Sequence, residues 1–567
     1  MRGSGSAGFG AGKAGVVAVV AVWLLTTLLW LTPGLTRPDG AGYYAYLPST
    51  YFDRDLLFFD EWAEVRLIHD GRILFKDVTE TGHLSNHWTA GASLAWYPAF
   101  VAADLVARGD GFQVLYVAAV AFTSAIAGLF VLLAGFRLSG NALATIAIWL
   151  GSPLAFYSLR HATMSHAISA AACAAVVLLS LRLRQRTDEG PPAGRRGRQH
   201  WLPKAERTPL AQSAVRAQTS AAGHAGPPEA PGRSSVLGEM LAVGMAIGFA
   251  CATRPQNIVI GLVPLLLAPA AMKRAHVILL GALIAALPQL IVSQTLWGAP
   301  LAFVNIGGRA HPWQMFSTFR PFETLFSWYH GLATWTPLLV LAIAGLFFLR
   351  DKALARAGLI TFAAQWLLLS VLERWFWGGA SFGQRRFDSC TIFFILGLAA
   401  LLERVPRWLG IAVTAACTAW TMLLFIAVPR LNLNAYQTPS ELLAAFRAAG
   451  PEWRTFLGYT PPPLRMDVLL GMGVAAIALA LIAVAARKYG TRLALAYFLA
   501  MSAFFAWCGT HPKHDTFSRH LLATPMPSGS ALDTMTLLRY EADYMERTGR
   551  TAEAQKARAE AERYGVR

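Results

Sequence analysis

Ala14–Trp30 runs for seventeen residues without a charge, and Met466–Ala486 carries Asp467 as its single charge. Similar blocks recur along the 567-residue chain. A bilayer core of about 30 Å takes roughly 20 apolar residues per helical crossing. In hydrocarbon the backbone must satisfy its own N–H and C=O groups, which a helix does. Blocks of this length, repeated, point to an all-α polytopic membrane protein. The composition agrees: 14% of the residues are charged, against about 25% in soluble domains. A soluble enzyme, a disordered chain and a disulfide-stapled secreted module are excluded.

The net charge of +17 invites a nucleic-acid reading, and its distribution argues against one. Ten Lys/Arg against four acids fall between Arg182 and Arg233, and most remaining bases sit in short loops, as cytoplasmic anchors do. No nucleic-acid partner is expected. The five cysteines lie in or beside apolar segments without CxxC spacing and read as small hydrophobes.

Candidate crossings are 14–36, 89–106, 112–135, 140–158, 163–182, 236–252, 256–270, 275–293, 331–349, 356–372, 388–404, 407–428, 466–486 and 490–508. Basic loops set the orientation. The Arg182–Arg233 linker, Lys273-Arg274, Arg350–Arg356, Arg404–Arg407 and Arg487–Arg492 belong inside. Loop 37–88, with nine acids against five bases, and the tail after 508 belong outside. An outside loop at 37–88 and an inside linker at 183 need an odd number of crossings between them, and four segments are available. One must be re-entrant or interfacial, with 89–106 and 140–158 the first suspects. The expectation is about thirteen crossings, N-terminus in and C-terminus out. The domains follow: an N-terminal membrane module 1–182 containing the first loop, a disordered basic linker 183–235, a C-terminal membrane module 236–508 and an extracytoplasmic tail 509–567. In the tail, Ser530–Gly549 and Thr551–Tyr564 have helical periodicity around a Thr548-Gly549-Arg550 break. One such hairpin cannot bury its own face, so it is expected to pack on the membrane domain or on a protein partner.

Chemistry points to the outer face. Arg37-Pro38-Asp39-Gly40-Ala41-Gly42-Tyr43-Tyr44-Ala45-Tyr46-Leu47-Pro48 places an acid at the exit of the first crossing, followed by tyrosines that also fit an interfacial aromatic belt. The loop continues through Asp53-Arg54-Asp55 and Asp60-Glu61-Trp62. The Asp53/Asp55 pair suits capping of short surface helices, with a divalent cation as the other possibility. It closes with Gly82-His83-Leu84-Ser85-Asn86-His87-Trp88. The same face should carry Arg160-His161 with Ser165-His166, Arg254-Pro255-Gln256, Gly307-Gly308-Arg309, Phe319-Arg320-Pro321, Trp328-Tyr329-His330-Gly331 and the run from Glu373 to Asp388. Arginines here run against the positive-inside bias. An anionic lipid phosphate would explain them, because the guanidinium fork matches phosphate oxygens. A carboxylate able to deprotonate an acceptor hydroxyl, cations for a departing phosphate and aromatic platforms together suit glycosyl transfer from a polyprenyl-phosphate sugar.

Asp39-Gly-x-Gly-Tyr-Tyr-Ala-Tyr-Leu-Pro resembles the first-loop motif of bacterial integral-membrane glycosyltransferases of the C-type (GT-C) superfold, related to protein O-mannosyltransferases and lipid A aminoarabinose transferases. Asn86-His87-Trp88, Ser165-His166-Ala167, His330-Gly331-Leu332 with Trp335-Thr336-Pro337, and Gly378-Gly379-x-Ser381-Phe382-Gly383-x-Arg385-Arg386 are similar to patterns in uncharacterised members. The resemblance covers about residues 14–430. It implies a GT-C-like bundle with a long first extracytoplasmic loop, in which Asp39 is the catalytic base or positions the acceptor. Asp53, Asp55, Asp60 and Glu61 compete for an assisting role. The linker and the helical tail depart from the pattern.

The resulting expectation is an inverting transferase in the cell (cytoplasmic) membrane with an extracytoplasmic site. Asp39 would be the base, and Arg254, Arg385 and Arg386 would hold the donor phosphate. His87, His166 and His330 would bind sugar or phosphate oxygens, while Tyr43, Tyr44 and Trp88 would shape the acceptor groove. The partners would be a polyprenyl-phosphate-linked sugar, membrane lipid and a glycan, lipid or protein acceptor. The rival is a transporter, flippase or polymerase of lipid-linked saccharides. Transporters carry polar groups near the midplane in repeated, broken helices, whereas here the charges cluster at one face.

Overall fold

The computed structural model describes residues 12–36, 38–65, 68–69, 72–73, 79–188, 233–302, 319–372, 381–428, 431, 438–448, 466–511, 531–547 and 549–565. Among these, nine helices are long and apolar enough to cross a membrane. They are Lys13–Trp30, Val114–Ser139, His166–Thr187, Val236–Thr253, Pro269–Trp297, Lys352–Val371, Arg407–Ala427, Met466–Tyr489 and Thr491–Thr510. Ala142–Leu150 and Pro153–Arg160 make a tenth if taken as one span bent by 63°. The bend has a local cause. Gly151 ends the first piece, the Ser152 hydroxyl accepts from the Leu154 N–H at 3.2 Å, and Pro153 opens the second piece without an N–H to continue the ladder. Gly91–Ala107, Pro255–Leu267 and Pro337–Leu346 are shorter apolar helices, and Thr391–Leu402 is a fourth.

Lipid tails are as apolar as leucine, so helices in a membrane associate largely through close packing at small residues. A Cβ on Gly244 or Gly248 would lie 2.0 Å from the carbonyl oxygen of Ile278 or Ala282, so Arg233–Thr253 and Ala275–Trp297 touch backbone to backbone. Gly345 meets the Gly397 carbonyl in the same way and Gly471 meets that of Leu115. The cysteines are free, and Cys173, Cys390 and Cys508 are buried.

The first loop is a folded layer. It contains helix Asp39–Tyr44, a π-turn at Ser49–Asp53, helix Phe59–Glu64 and a two-residue antiparallel ladder pairing Ile68–His69 with Arg72–Ile73. Tyr44, Tyr46, Leu47, Phe58 and Trp62 are its buried wall. The helix Gly91–Ala107 is tied to this layer at both ends. The Ser93 hydroxyl donates to the Tyr43 carbonyl at 2.6 Å, and the Tyr51 hydroxyl donates to the Asp104 carboxylate at 2.9 Å. Just beyond the helix, the Gly111 carbonyl accepts from the Tyr44 hydroxyl.

The tail forms the expected hairpin, Ala531–Arg547 and Thr551–Gly565, with Gly549 at φ +79° in the turn. It packs on the first loop, where the Tyr544 and His83 rings lie 5.0 Å apart. Burial pushes the His83 pKa down to about 4 despite a hydrogen bond to the Thr81 backbone, so a neutral ring faces Tyr544. The last span ends beside the same layer: Arg54 lies 5.9 Å over the Trp507 ring. The first loop, the end of Thr491–Thr510 and the tail therefore share one face. Of the expected linker 183–235, both ends are helical, inside His166–Asp188 and Arg233–Thr253, and 189–232 lie outside the described residues.

Candidate functional site

The chain leaving the first helix is fastened before it reaches Asp39. The Thr32 N–H donates to the Leu159 carbonyl at 2.9 Å. The Thr163 hydroxyl accepts from the Thr36 N–H at 3.3 Å and donates to the Gly34 carbonyl at 3.2 Å. Asp39 then sits in the first turn of its helix, where the helix dipole favours a carboxylate. The two glycines that follow have separate reasons. A Cβ on Gly40 would lie 2.4 Å from the Thr163 hydroxyl, and one on Gly42 would lie 1.9 Å from the Trp88 indole. Without those side chains Trp88 lies flat on the helix and its Nε1–H donates to Asp39 Oδ1 at 3.2 Å. Asn86 holds the approach, donating to the Gly42 carbonyl at 3.0 Å while its oxygen accepts from the Trp88 N–H at 3.1 Å.

The other carboxylate oxygen belongs to a residue 346 positions away. Arg385 Nη2 donates to Asp39 Oδ2 at 2.9 Å, a charge-assisted bond of the stronger class. The guanidinium lies 5.8 Å over the Tyr157 ring, and Nη1 reaches the Met164 sulfur at 3.6 Å. Tyr157 is held in turn, its hydroxyl accepting from the Phe382 N–H at 2.7 Å. Arg385 is 8% exposed and Asp39 29%. Burial pulls the Asp39 carboxyl up; the Arg385 guanidinium, the Trp88 indole and Arg254 more than reverse this and leave it below its ordinary value.

Beside this pair runs a second, buried set. Arg254 Nη1 donates to His166 Nε2 at 3.1 Å and to the Ser165 hydroxyl at 3.4 Å, and Arg254 Nε lies 3.7 Å from Asp388 Oδ2. His166 Nδ1 is 3.2 Å from the same Asp388 oxygen. Arginine offers no acceptor, so His166 Nε2 must accept, which leaves the proton on Nδ1 pointing at Asp388. The Gln256 amide, turned to suit its neighbours, accepts from Arg254 Nη2 and Nε at 3.0 Å. Arg386 completes the group. Burial, then repulsion from Arg254, bring its pKa down to about 9. It is charged at neutral pH, and its charge is one that an incoming anion would stabilise. The five groups named here, Asp39, Asp388, Arg254, Arg385 and Arg386, carry one more positive charge than negative. A narrow pocket opens between Tyr157, His166, Gln384, Arg385 and Asp388 on its polar side and Leu339, Phe387 and Phe394 on its apolar side.

Of the expected site residues, Asp39, Trp88, His166, Arg254, Arg385 and Arg386 come together, and Tyr43 is an electrostatic neighbour of Arg385 and Arg386. Tyr44 turns away, fully buried against Phe100 and Phe112. His87 is exposed with its ring 5.3 Å from Trp297. His330, at φ +61° and fully buried, lies 4.3 Å from Trp335 in the aromatic layer that includes Phe382. Asp55 is a cap, its Oδ1 accepting from the Leu57 N–H at 3.0 Å and the Ser49 hydroxyl at 3.2 Å. Asp53 ends the π-turn and Glu61 is fully buried in its helix. Asp60 falls in the same helix, with its side chain outside the described set, as are Gly307-Gly308-Arg309 and 373–380. Among the described residues, no group of three or more His, Cys, Asp or Glu is placed to hold a metal ion.

Sequence reasoning gave no role to Asp388, Tyr157, Gln256 or Met164. Asp388 had a signal: a lone acid between an Arg-Arg pair and an apolar helix. No family model, no curated protein and no solved structure matches the chain.

Proposed function

We propose that the protein is an inverting glycosyltransferase that moves a sugar from a polyprenyl-phosphate donor to an acceptor hydroxyl at the extracytoplasmic face of the cell membrane, within a GT-C-like bundle of thirteen crossings. That count takes the nine long helices, the bent pair as one, and Pro255–Leu267, Pro337–Leu346 and Thr391–Leu402. Gly91–Ala107 is left out because both its ends are tied to the first loop. The shared face of tail and first loop agrees with an even number of crossings between them.

The observation that carries the chemistry is a carboxylate held by Trp88 on one oxygen and by a buried arginine on the other, with Arg254 and Arg386 close by. In the reaction the acceptor oxygen forms a bond to the anomeric carbon and its proton passes to Asp39. The bond from that carbon to the phosphate oxygen breaks, and its electron pair leaves with the polyprenyl phosphate. Arg385 and Arg386 stabilise the charge that develops there. One displacement with one carboxylate inverts the anomeric centre, since retention needs a second step.

The test uses the full-length protein in nanodiscs with a panel of polyprenyl-phosphate sugars, reading thermal shift and sugar transfer. One lipid sugar should raise Tm, Arg385→Ala should weaken that shift, and Asp39→Asn should keep the shift while losing at least about 100-fold in transfer. A shift with a diphosphate-linked oligosaccharide and none with any monophosphate would replace this reading with a flippase or polymerase. Full transfer by Asp39→Asn would remove the base.

A further inference from the structure

The proposed base has a difficulty that its own geometry resolves. Asp39 Oδ2 is occupied by Arg385 at 2.9 Å, and a carboxylate paired with a guanidinium is a poor proton acceptor. The two oxygens have separate holders, however. Oδ1 is anchored by the Trp88 indole at 3.2 Å, itself seated on Gly42 and fixed by Asn86. Arg385 is also the more deeply buried partner, on a short helical turn, Arg385–Cys390, backed by Tyr157 and Met164. Loss of the Arg385 bond would therefore free Oδ2 while Asp39 stays in position.

We propose that the Asp39–Arg385 ion pair is a latch opened by the donor: an oxyanion of the lipid monophosphate replaces Asp39 Oδ2 on Arg385, and only then is Asp39 free to take the acceptor proton. The inference rests on the reading of Arg385 as a donor-phosphate ligand. Both partners in the exchange are oxyanions that suit the guanidinium fork, and no covalent bond changes. Binding becomes ordered, donor before acceptor. The empty enzyme holds its base unreactive, and a neutral lipid does not open the latch.

The exchange makes a prediction of unusual sign. Asp39 competes with the ligand for Arg385, and a competitor that occupies the binding-competent state lowers apparent affinity in proportion to its occupancy. Removing its charge should tighten binding. A long-chain polyprenyl monophosphate would be titrated into the full-length protein in nanodiscs, with the neutral polyprenol as control, for wild type, Asp39→Asn, Arg385→Ala and the double variant. Asp39→Asn should bind the monophosphate about tenfold tighter than wild type, with the gain absent in the double variant and absent for the polyprenol. Equal or weaker binding by Asp39→Asn, with Arg385→Ala weak, would overturn the latch and leave the phosphate reading standing. Arg385→Ala binding as tightly as wild type would overturn both. Melting each variant without lipid separates a loss of fold from a loss of binding.

Discussion

The two ends of the helix His166–Asp188 use charge in opposite ways. At one end His166 joins a set of three arginines and two aspartates drawn from the first loop, the Arg254 turn and the Arg385–Cys390 turn. About 27 Å away, at 1.5 Å rise per residue, the other end carries ion pairs: Arg184 with Asp351 at 2.8 Å and Arg186 with Glu239 at 2.6 Å. Arg350 with Glu403, beyond two other helices, makes another at 3.3 Å, with side chains 88% and 54% exposed. The Arg350–Glu403 pair is wet, and such pairs add little, while the other two are partly covered. The first end gathers three arginines, two aspartates and a histidine with little exposure, an arrangement that is costly to desolvate. The proposed function places the site at the first end, where the costly set lies.

The comparison is broken most directly by Asp388→Ala. It removes the buried carboxylate that Arg254 and the His166 N–H share, and removing one partner of a buried pair costs about 3–5 kcal/mol. The expected result is a melting temperature lowered by several degrees, with monophosphate binding lost. An unchanged melt would show that the cluster is solvated.

Next in size is Gly42→Ala. Its methyl group needs the space of the Trp88 indole, and Trp88 is only half-buried, so the ring should swing out and release Asp39 Oδ1. Transfer should fall about tenfold or more while the melt moves little. A crystal or cryo-EM structure of the variant with the indole still on Asp39 would refute this account of the motif.

A smaller effect sharpens the Asp39 side. Its carboxyl is held below the ordinary value of about 4, facing Arg385, Arg254, Arg386, Tyr157 and His161. A lowered native pKa gives stability that is present above the unfolded value and is lost as the pH falls through the lowered one. The melting temperatures of wild type and Asp39→Asn should therefore differ at pH 6 and converge below about pH 4. A constant difference would mean the pair is not what stabilises Asp39. Glu403→Gln, at the wet end, should change stability by less than about 1 kcal/mol, and a larger change would erase the contrast.

Some of this was legible in advance. The membrane class followed from uncharged blocks alone, and the odd-crossing argument gave the expectation that one segment between 89 and 182 fails to span. The proposal that this segment is Gly91–Ala107 rests on Tyr51 meeting Asp104 and Ser93 meeting the Tyr43 carbonyl, contacts between segments about fifty residues apart. Asp39 stood out because Pro38 and Gly40 frame a charge at a helix exit. The purpose of Gly42 did not, since its reason is an indole 46 residues later. Tyr44 and Tyr43 are adjacent and chemically alike, yet one packs into the core and the other faces the arginines, because successive positions on a helix point about 100° apart.

The sequence by itself determined the solvent of this protein: blocks that fit only hydrocarbon, and a set of ionisable groups too costly to bury singly. The tertiary structure decided which of those groups share a partner. Arg385 reaches Asp39, and Asp388 reaches His166 and Arg254, only because elements distant in the chain pack together. Pairing at hydrogen-bond range depends on positions set to within an ångström, and a pattern of residue types carries no such distances.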